Sequence, residues 1–162
     1  MNNQANFSST AFQIPDPFQR KLLWWVPTLI WLMMLVFFST DTFSAEHTGG
    51  ILWNILHYFV PGISLHHFQM IHFFVRKSAH FCFYGILSLL AFYSWRTTMP
   101  RRARWSFRWS GLALLLTLVA ASLDEFHQSF VPSRGASPRD VLLDMTGALF
   151  IQILIAAFTT SA

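Results

Sequence analysis

The chain has 162 residues, of which 54% are hydrophobic, 17% aromatic and only 11% charged, with a mean hydropathy of +0.43. That balance excludes an ordinary water-soluble domain and leaves room for one compact membrane unit. Eleven Lys and Arg stand against seven Asp and Glu, giving a net charge of +4, and the single Cys82 excludes an internal disulfide or a cysteine-rich zinc site.

Residues 1–19 are polar, with Pro15 and Pro17 near their end, and read as a flexible cytoplasmic lead-in. They lack the basic start and early apolar core of a signal peptide, so the segment is expected to be retained. Arg20-Lys21 then introduces 22–40, about one bilayer thickness without a charge, where Trp24, Trp25 and Trp31 suit an interfacial belt and packing. Pro27 lies near the start of this first span, where a membrane helix is expected to absorb a kink.

The connection 41–75 carries a short helical pattern. Residues 51, 52, 55, 56, 59 and 60 are apolar, while Asn54 and His57 take the other side, a spacing that predicts a helix too short to span and therefore interfacial or re-entrant. Pro61-Gly62 stops it. Ser64 can cap a new helix over 65–75, which leads straight into a second span at 77–95. A basic block of Arg96, Arg101, Arg102, Arg104 and Arg108 follows, with a turn at Pro100. The third span is placed at 105–123 and the fourth at 138–159. The expected fold is all-α: a polytopic four-helix transmembrane bundle, residues 20–162, with a short interfacial helix between spans 1 and 2.

Short basic loops stay in the cytoplasm. Placing Arg20, Lys21 and the five Arg after span 2 inside puts both termini in the cytoplasm. It sends six of the seven acids and all seven His to the outer face. The sequence pI near 9.8 is then a topology signal. Nucleic acid is not an expected partner, because the cations lie in a membrane-proximal loop without a recognition fold.

The stretch 123–144 holds four of the seven acids, one His and two Arg. Around it a polar constellation can be assembled. Lys77, His80 and Tyr84 fall at i, i+3 and i+7 on one helix face, with Arg76 a fourth member at i and i+4 with His80. Asp124, His127 and Gln128 share a face at the end of the third helix, with Glu125 turned about 100° away. Adjacent carboxylates beside a His can support acid/base work. Ser137-Pro138-Arg139-Asp140 has the form of an N-cap followed by a first-turn proline and an acid, so Asp140 can serve as a capping residue. Asp144, one turn on, has no capping role and needs a partner, with Arg134, Lys77 and His80 the choices. Gly147 and Ala148 below it would let another helix come close.

Residues 76–87 (RKSAHFCFYGIL) together with 124–147 (DEFHQSFVPSRGASPRDVLLDMTG) resemble the VanZ-like family of small bacterial membrane proteins, known from teicoplanin-resistance clusters. By position, the resemblance assigns the family's basic residue, His and Tyr to Lys77, His80 and Tyr84. Its acidic block falls on Asp124, Glu125, His127 and Gln128, and its Arg and helix-start Asp on Arg134 and Asp140. Ser133 replaces the glycine often found before that Arg, and Phe150-Ile151 stands where a second small residue is common. The resemblance implies a membrane protein of the cell envelope with a part in glycopeptide response, in the cytoplasmic (inner) membrane of a bacterium, and fixes no reaction.

Three functions fit. One is binding of an anionic membrane lipid or lipid-linked envelope precursor at the outer face, using Lys77, Tyr84, Asp124, Gln128, Arg134, Asp140 and Asp144. Another is an envelope hydrolase or transferase on a lipid-linked phosphorylated substrate, in which Lys77 and Arg134 hold the anion and His80, Glu125 or His127 move protons. The last is a polar cluster that only locks helices. No cofactor is expected, and no metal-ligand spacing is present. A transporter is disfavoured without an inverted repeat, although a homo-oligomer would reopen that route.

Overall fold

The computed structural model describes residues 17–40, 45–99, 104–130 and 137–160, and all their regular structure is helical. Six helices follow in order: α1 Pro17–Leu23, α2 Val26–Phe38, α3 Ala45–Phe59, α4 Leu65–Thr98, α5 Phe107–Gln128 and α6 Pro138–Thr160. The helix starts expected from spacing are matched most closely at α4 and α6. Ser64 Oγ accepts the His67 N–H at 3.3 Å to start α4, and Ser137 Oγ accepts the Arg139 N–H at 3.3 Å to start α6.

The first span shows the irregularity expected near Pro27. Regular helix is interrupted at Trp24-Trp25, where Trp25 keeps right-handed helical angles, and resumes as α2 within the one apolar segment Lys21–Phe38. Proline offers no N–H to the carbonyl of Leu23 and its ring crowds that oxygen, so the helical ladder is cut four residues earlier. The break is bridged by Trp25 N–H donating to Leu22 O and Leu29 N–H to Trp25 O, both 2.9 Å. Two boundaries also move. The short helix begins at Ala45 rather than 51, and α5 continues to Gln128 rather than stopping at 123.

α4 is the element around which the others assemble. It packs most extensively on α6, next on α5, and more lightly on α2, α1 and α3. At about 1.5 Å per residue its 34 residues reach about 50 Å, longer than the roughly 30 Å of a hydrocarbon core.

Burial is arranged for an apolar solvent. Met33, Phe107 and Phe158 are 72%, 82% and 75% exposed, whereas Thr28, Ser88, Ser94 and Thr117 are fully buried. Lipid tails give apolar side chains no reason to hide, so helices associate through small residues and interhelical hydrogen bonds. Here the Ser94 hydroxyl donates to Trp24 O at 2.8 Å and lies 2.9 Å from Thr28 Oγ1. Gln152 Nε2 donates to Ser88 O and Oγ at 3.0 and 2.8 Å. Trp31 Nε1 donates to Phe83 O at 2.9 Å, which fastens α2 to α4. Ser94→Ala is expected to loosen the α1–α2 segment at a cost of about 1 kcal/mol, the scale of interhelical hydrogen bonds in membranes. A lower thermal midpoint in mild detergent would register it, and an unchanged midpoint would mean the buried hydroxyls are idle.

Among the described residues, three segments are long and apolar enough to cross a membrane: Lys21–Phe38, Phe107–Gln128 and Pro138–Thr159. Their packing around α4 places Asp124, Asp140 and Asp144 against the middle of that helix.

Candidate functional site

Helical periodicity puts three polar side chains of α4 opposite three acids. Lys77, His80 and Tyr84 lie on one face, and each meets a different carboxylate. Lys77 Nζ forms an ion pair with Asp140 Oδ1. His80 Nδ1 lies 3.3 Å from Asp144 Oδ1, one turn further along α6. Tyr84 OH donates to Asp124 Oδ2 of α5 at 2.9 Å, and Gln128 Nε2 donates to the same oxygen at 2.9 Å. The His80 ring stacks on Tyr84 with centroids 6.3 Å apart. Asp140 therefore spends its carboxylate on Lys77, while its own backbone N–H donates to Ser137 O at 2.8 Å.

Asp144 is fully buried. Among the described residues neither of its carboxylate oxygens has a hydrogen-bond partner, and nor does His80 Nδ1, so the two groups are within ion-pair distance without an aligned hydrogen bond. Among the partners weighed for Asp144, the structure brings up His80; Lys77 goes to Asp140, and Arg134 lies outside the described residues.

Glu125 turns toward α6 rather than toward solvent. It is 6% exposed, and its Oε2 accepts the Ser137 N–H at 2.7 Å, joining the end of α5 to the start of α6. His127 is exposed, with Nδ1 3.4 Å from Ser39 Oγ at the end of α2. Asp124 and His127 border the same cavity beside α2, in keeping with a shared face, while Gln128 is buried.

Two adjoining clefts open beside these residues. The first, about 300 Å³, brings the polar side chains His72, Arg76, His80 and Gln128 into walls that are otherwise largely apolar, Leu52, Val75 and Phe83 among them, and is termed the polar cleft for those four. The second, about 420 Å³, is an apolar slot between α2 and α5 that includes Leu32, Val36, Leu116 and Val119. Leu35, Ser39, Tyr84 and Asp124 belong to both.

Arg76 stands out in the polar cleft. It is half-buried and, unlike Lys77, has no carboxylate partner among the described residues. Its neighbour His72 lies 3.4 Å from Thr48 Oγ1. Burial, and then the Arg76 charge, hold the His72 imidazole below its ordinary range, so Arg76 is the cation there at neutral pH. The signal was present in the sequence: 72, 76 and 80 recur every four residues and share a helix face. The anion-holding role was nevertheless given to Lys77 and Arg134, because spacing does not reveal which cation a carboxylate on another helix will neutralise. Among the described residues no three His, Cys, Asp or Glu side chains converge as a metal set would.

Comparison with curated proteins and with solved structures returned no match. A family model described as VanZ/LLP1 matches residues 24–159, a span that contains α2 to α5, all but the last residue of α6, and every site residue named above. With three segments apolar enough to cross a bilayer, the chain belongs to the VanZ/LLP1 family and is a membrane protein of that family.

Proposed function

We propose that the protein is an integral protein of a bacterial cytoplasmic membrane that binds an anionic lipid, or a lipid-linked envelope precursor, at the outer face. In this reading residues 77–95 of α4 form a fourth crossing, both termini are cytoplasmic, residues 1–19 precede the membrane domain, and α3 lies at the interface. The observation that carries the proposal is the junction of the two clefts. A cleft containing Arg76, which has no carboxylate partner among the described residues, opens directly beside an apolar slot, the two sharing Tyr84 and Asp124. An amphiphile has the matching form: a phosphate for the guanidinium and a chain for the slot. Arg suits phosphate recognition because its planar fork can donate two parallel hydrogen bonds. The connection to glycopeptide response is the physiological setting that the family resemblance offers.

The interhelical pairs also favour a locking role, since Lys77–Asp140 and Tyr84–Asp124 each tie α4 to a neighbour. Locking and binding are separable. The test is native mass spectrometry of protein equilibrated with phosphatidylglycerol vesicles and extracted in mild detergent. Arg76→Ala is expected to reduce bound lipid about tenfold or more, as for loss of a charge-assisted hydrogen bond worth roughly 1.5–3 kcal/mol. Ala120→Trp, which fills the slot, is expected to do the same while Lys77→Ala destabilises the fold instead. Equal lipid retention by the wild type, Arg76→Ala and Ala120→Trp would refute the site.

A further inference from the structure

We propose that Asp144 and His80 act as a carboxylate–imidazole pair that makes the polar cleft hydrolytic, with His80 taking a proton from a water that cleaves a carboxylic ester of the bound lipid. The inference rests on the lipid-site reading above and adds a reaction to it.

The starting observation is Asp144. A carboxylate that is fully buried, with both oxygens lacking a hydrogen bond among the described residues, is costly in a membrane interior and is a functional group by default. Its neighbour is the Nδ1 edge of His80 at 3.3 Å. His80 in turn lines the polar cleft, and with Nδ1 turned to Asp144 the nitrogen left for a ligand is Nε2. A carboxylate at Nδ1 favours the tautomer protonated there and leaves Nε2 bare to accept a proton. Asp144 touches no reacting atom in this scheme and is a positioning residue.

The place of the reaction follows from Tyr84. Its ring stacks on His80 and it borders both the polar cleft and the apolar slot, so His80 stands where the head of an acyl lipid joins its chain. In a glycerolipid that junction is the carboxylic ester. Water adds to the ester carbonyl carbon as its proton passes to His80 Nε2. The bond from that carbon to the glycerol oxygen then breaks, and the departing alkoxide takes the proton back from the imidazolium. A fatty acid and a lysolipid result, the imidazole is regenerated, and nothing is oxidised or reduced. The other proton carriers in the region are placed differently: Glu125 Oε2 is held by the Ser137 N–H, and His127 borders the apolar slot but not the polar cleft.

The test uses the full chain in mild detergent with phosphatidylglycerol vesicles, and mass spectrometry to count intact lipid, lysolipid and fatty acid. Wild type is expected to release fatty acid. His80→Gln should do so about 10²- to 10⁴-fold more slowly, the usual loss on removing a general base, while still carrying intact lipid. Asp144→Asn should also slow release. A readout that helix packing would not move is the His80 tautomer in ¹⁵N NMR of histidine-labelled protein, assigned by its disappearance in His80→Gln. Its proton is expected on Nδ1 in the wild type and on Nε2 in Asp144→Asn. If Asp144→Asn fails to fold, His80→Gln decides the matter alone. Wild type that holds intact lipid and yields no lysolipid, or His80→Gln at the wild-type rate, overturns the hydrolysis and leaves the lipid site standing. Wild type that holds no lipid and yields no product overturns both.

Discussion

Gly147→Ala is expected to leave little correctly folded protein. A Cβ built on Gly147 would lie 2.2 Å from the carbonyl oxygen of Phe81 and 2.9 Å from its carbon, so α6 passes directly over the backbone of α4. The obstructing atoms are main chain and cannot swing away as a side-chain tip would. Either the two helices separate or the site residues on them lose register, and the penalty should reach or exceed the roughly 1–3 kcal/mol of ordinary overpacking. Two other glycines supply the comparison. At Gly85 an added Cβ would meet Ile151 Cγ1 at 3.1 Å and Gly147 O at 3.3 Å, a tighter fit that small adjustments can absorb, so Gly85→Ala should cost less. At Gly111 nothing lies within 4 Å, and alanine there should be neutral or stabilising by up to about 1 kcal/mol through helix propensity. Thermal midpoints in detergent should therefore fall in the order Gly111→Ala, Gly85→Ala, Gly147→Ala. A Gly147→Ala protein as stable as the wild type would show that the close α4–α6 approach does not exist.

The close approach was legible in the sequence as a small residue one turn beyond Asp144, and so were the polar stripes at 77/80/84, 124/128 and 140/144. These are local periodicities, set by the 3.6-residue turn of a single helix. What lay beyond reach was the matching between helices. Spacing offered Lys77 and His80 equally to Asp144, and the axial offset of α4 against α6 decides that Lys77 goes to Asp140 and His80 to Asp144. The same ignorance put anion binding on Lys77 and passed over Arg76, which among the described residues has no carboxylate partner. Pro27 is a different case. Its effect on the ladder is local, and the interruption between α1 and α2 stays within the span Lys21–Phe38, in keeping with the tolerance of membrane helices for kinks. Arg134, assigned a binding role by spacing and by resemblance, lies outside the described residues.

Glu125→Ala and Glu125→Gln are expected to part company. The Glu125 side chain supplies the acceptor for the Ser137 N–H, one of the first backbone donors of α6, which have no partner within the helix. Alanine removes it in a site where Glu125 itself is 6% exposed, leaving a donor that water reaches poorly. The loss of a hydrogen bond to a charged group is worth roughly 1.5–3 kcal/mol. Part of that is offset because the wild-type side chain also buries an Oε1 with no partner. Glutamine keeps a carbonyl oxygen of the same reach, so its side chain can still accept from Ser137 and bring an amide group to the unpartnered side. Glu125→Ala should then show a clearly lower thermal midpoint together with weaker lipid retention, because Asp140 and Asp144 depend on where α6 begins. Glu125→Gln should stay close to the wild type in both. The opposite pattern, an unchanged midpoint in Glu125→Gln with loss of fatty-acid release, would assign the proton transfer to Glu125 itself and remove it from His80.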